Sequence, residues 1–496
     1  MNYQIYKQAK IEQPKLSIIL SVYNKEQWLK KTLTSLIEQT CDPTQFEIIF
    51  VDDASTDDSY SLLKECADQY DHVTLIQCDE NSGTPATPRN IGLECARGSW
   101  CMIMDADDWL EVTAVEDLLA IAEESEDEII IGRAIRHYTD SKKDLIIAPY
   151  DSYEERRGKT LKELPYLVFN LSPCAKMFKK SLVERHHLSF PEMKYSEDKW
   201  FYFYLLAFAK GISTTQTLVY HINRLKENTS LIRKTTVLEK MATNLEVLQH
   251  VLQDKEVNEE VNEEVKEMMC VRLLNLDFTT RLFNRKHFLK TENKADYYQV
   301  YEKMLSLFHD SGYDVEEEMM ITAENKIIYT LASQKRYQDL ELFIRWLKEQ
   351  KEKLFTIEEK PGTQPDELFY QVPVKEVPAY PVPCLATLNS VQKKNDVVEI
   401  SAQIFADPNV PFEMVIRRRA NVNEFVRVQP VHIEKNTYKF YLSRQDFELK
   451  LGNYRCEIML SFLGKKKTNI SVGTFITNDT RFYATNKNNL GFDSKK

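Results

Sequence analysis

Acidic residues crowd together where an apolar segment ends, and they are the first candidates for chemistry. Residues 100–104 are apolar, and Asp105, Ala106, Asp107 and Asp108 follow at once. Such a cluster is costly unless a cation is near. Alternating carboxylates such as Asp105 and Asp107 are suited to binding Mg²⁺ or Mn²⁺, which would bridge and neutralise a diphosphate. The alternative is an exposed acidic turn that caps the next helix, and this segment alone leaves both interpretations open.

A second acidic pair, Asp52 and Asp53, ends the apolar run 46–51. A carboxylate held there can accept a hydrogen bond from a base edge or from a ribose hydroxyl. The alternative role is to cap the following helix, but Ser55 and Thr56 already serve that purpose.

Two further polar segments precede predicted helices. Residues 81–90 form a loop stiffened by prolines, in which Arg89 lies where it could meet a phosphate; a plain helix-start turn would explain Pro88 but not Arg89. Later in the chain, Glu197 and Asp198 precede an aromatic helix. They could favour the helix dipole, or a carboxylate there could be the general base that deprotonates an acceptor hydroxyl.

The elements that must position these residues alternate between apolar runs and amphipathic segments. This alternation predicts a mostly parallel α/β sheet covered by helices. Because such sheets bind ligands at the carboxyl ends of their strands, we expect the acidic motifs to meet at one edge. The predicted strands are 16–22, 46–51, 73–77, 100–104 and 128–131, and the predicted helices are 26–39 and 57–69.

The pattern changes twice after this region, which predicts further domains. Residues 236–359 have few prolines or glycines and carry apolar residues three or four apart, as in helices. Residues 385–496 alternate with a period of two, which predicts a β-sandwich. We therefore predict an α/β domain over 1–235, a helical accessory region over 236–359, a proline-containing linker over 360–384 and a β-sandwich over 385–496. The strands predicted in the sandwich are 397–405, 412–417, 425–431, 438–442, 454–462 and 468–475.

Composition limits the classes of function. A formal net charge of -11 argues against non-specific binding to nucleic acid. The nine cysteines are scattered without metal-ligand spacing, which indicates reduced thiols and a cytoplasmic protein. No window approaches the roughly 20 apolar residues of a membrane span, so any membrane contact is expected to be peripheral, at the inner face.

The order of the motifs resembles that of the family 2 glycosyltransferases, which have the GT-A fold. The closer likeness is to enzymes that attach N-acetylglucosamine to the poly(ribitol phosphate) of wall teichoic acid. The segments that carry the resemblance are 16–24, 51–57, 81–83, 88–90, 105–108, 172–173 and 196–198.

The resemblance implies a role for each matching residue. Asp107 would hold the metal, Asp198 would be the catalytic base, and Glu197 would position the acceptor or the donor sugar. For the nucleotide-sugar, the resemblance implies Tyr23 and Asp53 at uracil, and Asn81 and Arg89 on the nucleotide side. It implies Asp105 at the ribose, with Ala106 beside it. By a looser match, Tyr220, Arg224 and Ser230 would form a donor-phosphate loop.

The resemblance also implies the reaction: a UDP-sugar donor, Mn²⁺ or Mg²⁺ as cofactor, a polyol-phosphate or glycan acceptor, and a single displacement that inverts the anomeric carbon. Processive relatives carry a Gln-x-x-Arg-Trp motif, whereas Leu342 precedes Arg345 and Trp346 here, so a non-processive enzyme is expected. The β-sandwich would bind polymer, a partner or a second subunit. The alternatives are a family 2 transferase for capsule, lipid-linked oligosaccharide or glycoprotein glycans, and an inactive scaffold of the same fold.

Overall fold

The computed structural model describes residues 1–139, 141–146, 155–225, 227–228, 235–253, 261–349, 355–357, 368–380, 385–394, 396–405, 412–418, 425–434, 437–443, 456–462, 466–469, 475–477, 480–484 and 490–494. The chain divides into two compact units, Met1–Ser333 and Gln334–Lys496. Within the described residues, no helix is both long and apolar enough to span a lipid bilayer.

The first unit is built around one large sheet. Its strands are β1 (Tyr3–Lys7), β2 (Leu16–Val22), β3 (Phe46–Asp52), β4 (Val73–Cys78), β5 (Trp100–Asp105), β6 (Trp109–Leu110), β7 (Ile129–Tyr138), β8 (Ser141–Ile146), β9 (Arg156–Lys159), β10 (Lys176–Lys179) and β11 (Ile212–Asn223). The helices around it are α1 (Glu26–Ile37), α2 (Ser59–Gln69), α3 (Ala86–Cys95), α4 (Ala114–Glu124), a 3₁₀ turn (Pro165–Phe169), α5 (Lys180–Arg185) and α6 (Glu197–Phe208).

The predicted α/β fold is confirmed, with one correction to the sheet. Strands β4, β3, β2 and β5 are parallel neighbours, as predicted. Beyond β5, however, β10 enters antiparallel between β5 and β7, and β6, β8 and β9 are also antiparallel to their partners. The sheet is therefore mixed rather than mostly parallel. Antiparallel pairing does not need a helical crossover, so strands joined by loops could be added to that side.

Close packing of α3 on the sheet brings its first turn to the carboxyl edge. A Cβ at Gly92 would lie 2.3 Å from Ile19 Cγ2 and 3.5 Å from Val51 Cγ2, so only glycine allows this approach. Arg89 lies one turn before Gly92 on the same helix. The packing of α3 against β2 and β3 thus fixes where Arg89 lies.

Helices complete the first unit after the sheet. They are α7 (Val237–Gln253), α8 (Glu263–Arg272), a π-helical segment (Leu273–Thr280), α9 (Lys286–Lys290), α10 (Lys294–Asp310), a 3₁₀ turn (Glu317–Met319) and α11 (Ala323–Ser333). This helical region belongs to the same compact unit as the sheet.

The second unit begins with α12 (Tyr337–Glu349) and continues as strands. Trp346 packs against Phe343, Tyr370 and Tyr380, and Arg345 pairs with Glu349, so the Arg-Trp pair has structural contacts. The strands are β12 (Phe355–Ile357), β13 (Leu368–Tyr370), β14 (Leu385–Lys394), β15 (Val397–Phe405), β16 (Phe412–Arg418), β17 (Phe425–Val428), β18 (Val431–Glu434), β19 (Thr437–Ser443), β20 (Cys456–Phe462), β21 (Lys466–Asn469), β22 (Phe475–Thr477), β23 (Thr480–Ala484) and β24 (Leu490–Ser494).

The β-rich end forms two sheets that share an apolar core, which confirms the predicted sandwich. One sheet has the order β14-β15-β19-β18, and the other has the order β17-β16-β20-β24-β23-β22, with β21 paired to β20. Ile400 and Phe440 of the first sheet and Ile416 and Ile458 of the second lie in one buried cluster. The predicted strand 425–431 is two strands, β17 and β18, in different sheets. Residues 360–367 and 381–384 of the predicted linker lie outside the described residues.

Candidate active site

The loop that follows β3 is held by an asparagine at the end of β2. Asn24 has a positive φ of 51°, a conformation that asparagine tolerates better than most residues. Its Oδ1 accepts hydrogen bonds from the backbone N–H groups of Thr56 (2.8 Å) and Asp57 (3.3 Å). Asn24 therefore joins the carboxyl ends of β2 and β3. The sequence contained a signal for this role, because Asn24 lies in the opening motif that carries the resemblance.

Asp53 and Asn81 meet in one cluster, as the resemblance implied. Asp53 is buried and accepts hydrogen bonds from Asn81 Nδ2 (2.9 Å), Ser82 Oγ (2.9 Å) and the Ser82 N–H (3.0 Å). Burial raises the pKa of Asp53, although the Ser82 hydrogen bonds oppose that shift. Tyr23 directly follows β2 and is 43% exposed, so its ring is available to stack on a planar ligand.

Arg89 joins two of the predicted site residues that are far apart in the chain. Its Nη2 donates to Asp105 Oδ1 at 2.9 Å and its Nη1 donates to Glu197 Oε1 at 2.8 Å. Burial alone would lower the pKa of Arg89, but the two carboxylates overcome that effect and raise it. A permanently charged, buried guanidinium therefore holds the ends of β5 and α6 together. This role differs from the phosphate contact suggested by the sequence.

Asp107 lies beside a cation supplied by the chain itself. Lys25 Nζ pairs with Asp107 Oδ2 at 2.6 Å, and Asn228 Nδ2 donates to the same oxygen at 2.9 Å. Sequence reasoning missed both partners, since neither Lys25 nor Asn228 stands in a distinctive pattern. Within the described part of the chain, the other Asp107 oxygen, Oδ1, accepts no hydrogen bond.

Asp108 faces the interior, where it fixes the end of β11. It is buried and accepts the Asn223 N–H at 2.7 Å. Burial raises the pKa of Asp108 well above its usual range, and the charges of Asp105 and Asp107 add to this effect. Arg224 is the next residue after Asn223, so it lies beside the acidic motif. Its positive charge opposes the rise in the pKa of Asp108.

The other residues of the loosely matched phosphate loop have different surroundings. Tyr220 is fully buried, and its hydroxyl accepts the Asp105 N–H at 3.2 Å. This contact holds the backbone at the start of the acidic motif. Ser230 lies outside the described residues.

The acidic pair at the start of α6 follows a strained residue. Ser196 has a φ of 77°, which is uncommon for a residue other than glycine. Burial and the charge of Asp198 raise the pKa of Glu197 to about 7, although Arg89 opposes the shift. Burial also raises the pKa of Asp198, while Lys199 and Arg89 oppose it. Because Glu197 is engaged by Arg89, Asp198 is the better placed of the two to accept a proton from a ligand.

The acidic motif fits a hard divalent cation at Asp107 better than at the other carboxylates. Asp105, Asp108 and Cys174 have ligand atoms within 4.8 Å of one another. Burial raises the pKa of the Cys174 thiol to about 12, so that thiol stays protonated and is a poor ligand for Mg²⁺ or Mn²⁺. Asp107 offers a carboxylate oxygen that its two partners leave unoccupied. The DxD-like motif is thus present, with Asp107 as its most suitable metal ligand.

The predicted residues therefore meet along the carboxyl edge of one sheet, from β4 across β3, β2 and β5 to β11 and α6. That edge brings together an exposed aromatic ring, buried carboxylates with amide and hydroxyl partners, a metal-compatible aspartate and an acidic pair with raised pKa values, and it is the edge at which α/β sheets bind ligands.

Comparison with known proteins gives the family of this domain. Residues 17–186 match the model of glycosyl transferase family 2. The first unit therefore contains a family 2 glycosyltransferase domain, which confirms the resemblance of its motifs.

Two relatives are similar over this domain. The chain is 34% identical over 217 residues to the EpsH protein of Bacillus subtilis, covering 42% of this chain and 61% of that protein. It is 31% identical over 208 residues to a poly(ribitol-phosphate) beta-glucosyltransferase of Bacillus spizizenii, covering 42% of this chain and 32% of the relative. The chain thus spans about three fifths of the first relative and about a third of the second.

Solved structures share the fold over a longer range. The crystal structure of Staphylococcus aureus TarS matches 97% of this chain and 86% of its own length, with a TM-score of 0.58 and 17% identity. Residues 1–349 of the same protein in complex with UDP-GlcNAc match 74% of this chain and 99% of that structure, with a TM-score of 0.56 and 20% identity. The likeness therefore extends the shared fold beyond the family 2 domain.

Proposed function

We propose that this protein is an inverting, non-processive glycosyltransferase that moves a hexose or N-acetylglucosamine from a UDP-sugar to a hydroxyl of a cell-surface polymer such as wall teichoic acid. The observation that carries the proposal is that Arg89 joins Asp105 to Glu197, because this contact brings the nucleotide side and the acidic pair into one site. The complex of TarS with UDP-GlcNAc supports the proposed donor. The name of the Bacillus spizizenii relative, a poly(ribitol-phosphate) beta-glucosyltransferase, supports the proposed acceptor.

In the proposed donor site, the ring of Tyr23 stacks on uracil and the cluster of Asp53 and Asn81 meets its polar edge. Asp105, with Ala106 beside it, contacts the ribose. A divalent cation held by Asp107 would neutralise negative charge on the departing diphosphate. Arg224 lies beside this acidic motif and adds a positive charge near the phosphates.

In the proposed reaction, an acceptor hydroxyl attacks the anomeric carbon from the face opposite UDP. A carbon–oxygen bond to the acceptor forms while the bond to the diphosphate breaks, which inverts configuration. The hydroxyl proton passes to Asp198, whose raised pKa makes it a stronger base than an exposed aspartate. Glu197, held by Arg89, positions the sugar or the acceptor.

The similarity to a glucosyltransferase favours UDP-glucose as a second donor candidate. The test is a transfer assay that combines UDP-GlcNAc or UDP-glucose with poly(ribitol phosphate), with Mn²⁺, with Mg²⁺ or with a chelator. Transfer from one donor that depends on the metal is the expected result. Absence of both transfer and donor binding, with every donor and metal, would reject the proposal.

The proposed place of action is the cytoplasm, with peripheral contact at the inner face of the membrane. The seven cysteines of the first unit are all free thiols, which agrees with a reducing compartment. The β-sandwich is proposed to hold the acceptor polymer or a second copy of the chain.

A further inference from the structure

Asp277 is a charged residue buried in the helical region of the first unit. It lies in the π-helical segment and is 0% exposed. Its carboxylate accepts hydrogen bonds from Lys199 Nζ (2.7 Å), from Arg281 Nη2 (3.4 Å) and from Arg272 Nη1. Burial alone would raise the pKa of Asp277, but the three cations together lower it, so the carboxylate stays charged. A buried ion pair is weak evidence of added stability, because the cost of removing its charges from water offsets their attraction.

Two of these cations reach the turn that carries the acidic pair. Lys199 directly follows Asp198, and its backbone N–H donates to Asp198 Oδ1 at 2.8 Å. Arg281 Nη1 donates to the hydroxyl of Tyr195 at 2.6 Å. Asp277 thus holds, through its partners, the residues on both sides of the pair.

The middle of the same turn is held by α7. The strained Ser196 donates its Oγ proton to Asn244 Oδ1 at 2.9 Å, and Lys199 Nζ donates to the same oxygen at 2.7 Å. A left-handed residue other than glycine persists only where its surroundings enforce it. The side chains of α7 and of the π-helical segment therefore enforce the backbone of this turn.

We propose that Asp277 is a positioning residue for sugar transfer, which fixes the Asp198 carboxylate through Lys199 and fixes the preceding turn through Arg281. The proposal rests on the proposed function, in which Asp198 receives the acceptor proton. It makes the helical region a part of the catalytic apparatus rather than an accessory. A base displaced by about 1 Å can lower a rate about 100-fold.

The pKa of Asp198 depends on the charges around it. A change in this pKa therefore provides a readout that a loss of stability alone would not produce. Lys199 favours the ionised form of Asp198, and Asp277 neutralises Lys199. Lys199→Met should therefore raise the pKa of Asp198. The charged and titratable groups that face Asp198 are Glu197, Arg89, Lys176, Lys199, Arg272, Tyr195 and Tyr202.

The experiment compares Asp277→Asn and Lys199→Met with the full-length natural protein. For Asp277→Asn, kcat should fall by about 10- to 100-fold, while the Kd for the UDP-sugar stays within about twofold. The acid limb of the kcat profile should move to higher pH for Lys199→Met. If Asp277→Asn fails to fold, Lys199→Met still tests the proposal. In that variant the buried Asp277 carboxylate is still paired with Arg272 and Arg281, and only its link to Asp198 is lost.

Glu47→Gln is the matched control. Glu47 is also a fully buried carboxylate with an arginine partner, Arg97, and a hydroxyl partner, Ser17, but it lies near the amino end of β3, away from the site. It should lower the melting temperature without changing kcat per folded molecule or the pH profile.

A readout independent of catalysis separates this proposal from the proposed function. Backbone amides of residues 195–199 should exchange hydrogen faster in Asp277→Asn than in the natural protein or in Glu47→Gln. Unchanged exchange, or a kcat and pH profile like those of the control, would overturn the positioning role. A natural protein that neither transfers sugar nor binds a donor would instead reject the proposed function, while the exchange result would still decide how the turn is held.

Discussion

Asp198 and Glu197 are neighbours in the chain but have different partners, and that difference assigns their roles. Arg89 donates to Glu197, whereas Asp198 accepts only the N–H of the next residue among the hydrogen bonds described. The pKa of Glu197 is also raised, but the guanidinium fixes that carboxylate in place and occupies one of its oxygens. Asp198 is therefore the proposed base, and Glu197 is the proposed positioning group.

Replacing Asp198 by Asn tests this assignment. The amide keeps the shape and a hydrogen-bonding oxygen but cannot accept the proton, so donor binding should survive while transfer falls by about 100-fold or more. Donor affinity, melting temperature and transfer rate are measured on the same preparation. If transfer stayed near normal while the melting temperature fell, Asp198 would only favour the start of α6, and Glu197→Gln would be tested as the base.

Removing the Asp107 carboxylate tests the metal site. Asp107→Ala should abolish metal-dependent transfer and weaken binding of the UDP-sugar, since a diphosphate would meet the acidic motif without its cation. Binding of Mn²⁺ to the protein, followed by calorimetry, should also be lost. Lys25→Met is the matched variant, because it removes the partner of Asp107 but keeps the carboxylate. Metal-dependent turnover that remains normal in Asp107→Ala would remove Asp107 from the site.

At the scale of elements, the site depends on how closely α3 packs against β2. Gly92 allows the approach, and Arg89 on the same helix joins the ends of β5 and α6. The helix therefore transmits its position directly to two site carboxylates.

Gly92→Ala should separate α3 from the sheet, because the added methyl group meets the side chain of Ile19. Overpacking of this kind costs about 1–3 kcal/mol of unfolding free energy. Because Arg89 moves with the helix, affinity for the UDP-sugar should fall as well. Denaturant unfolding and donor titration check both effects. Glu94→Ala, on the exposed side of α3, is the control, and equal results for the two variants would contradict the prediction.

At the scale of the whole molecule, the two compact units are expected to divide the work. The first unit contains the residues of the proposed site, and the second contains α12 and the β-sandwich. A protein that ends at Ser333 should keep metal-dependent hydrolysis of the donor. It should lose affinity for the acceptor polymer or differ from the full chain in the number of copies per particle in solution. Hydrolysis, polymer binding and light scattering are compared with the full chain. A folded truncation that matched the full chain in both respects would show that the second unit only adds stability.

The sequence by itself determined the parallel half of the sheet and predicted most residues of the candidate site. The apolar runs that lead into Asp52 and Asp53 and into Asp105 define both a strand and the candidate site residues at its end, because local patterning and motif spacing are properties of neighbouring residues. The period of two likewise predicted the β-sandwich.

Only the tertiary structure decided the partners of those residues. Three pairs of side chains illustrate this. Lys25 pairs with Asp107 across 82 residues, Arg89 with Glu197 across 108 residues, and Lys199 with the buried Asp277 across 78 residues. The antiparallel entry of β10 into the sheet is of the same kind. Such contacts depend on how elements pack in three dimensions, and no local pattern of residue types encodes that packing.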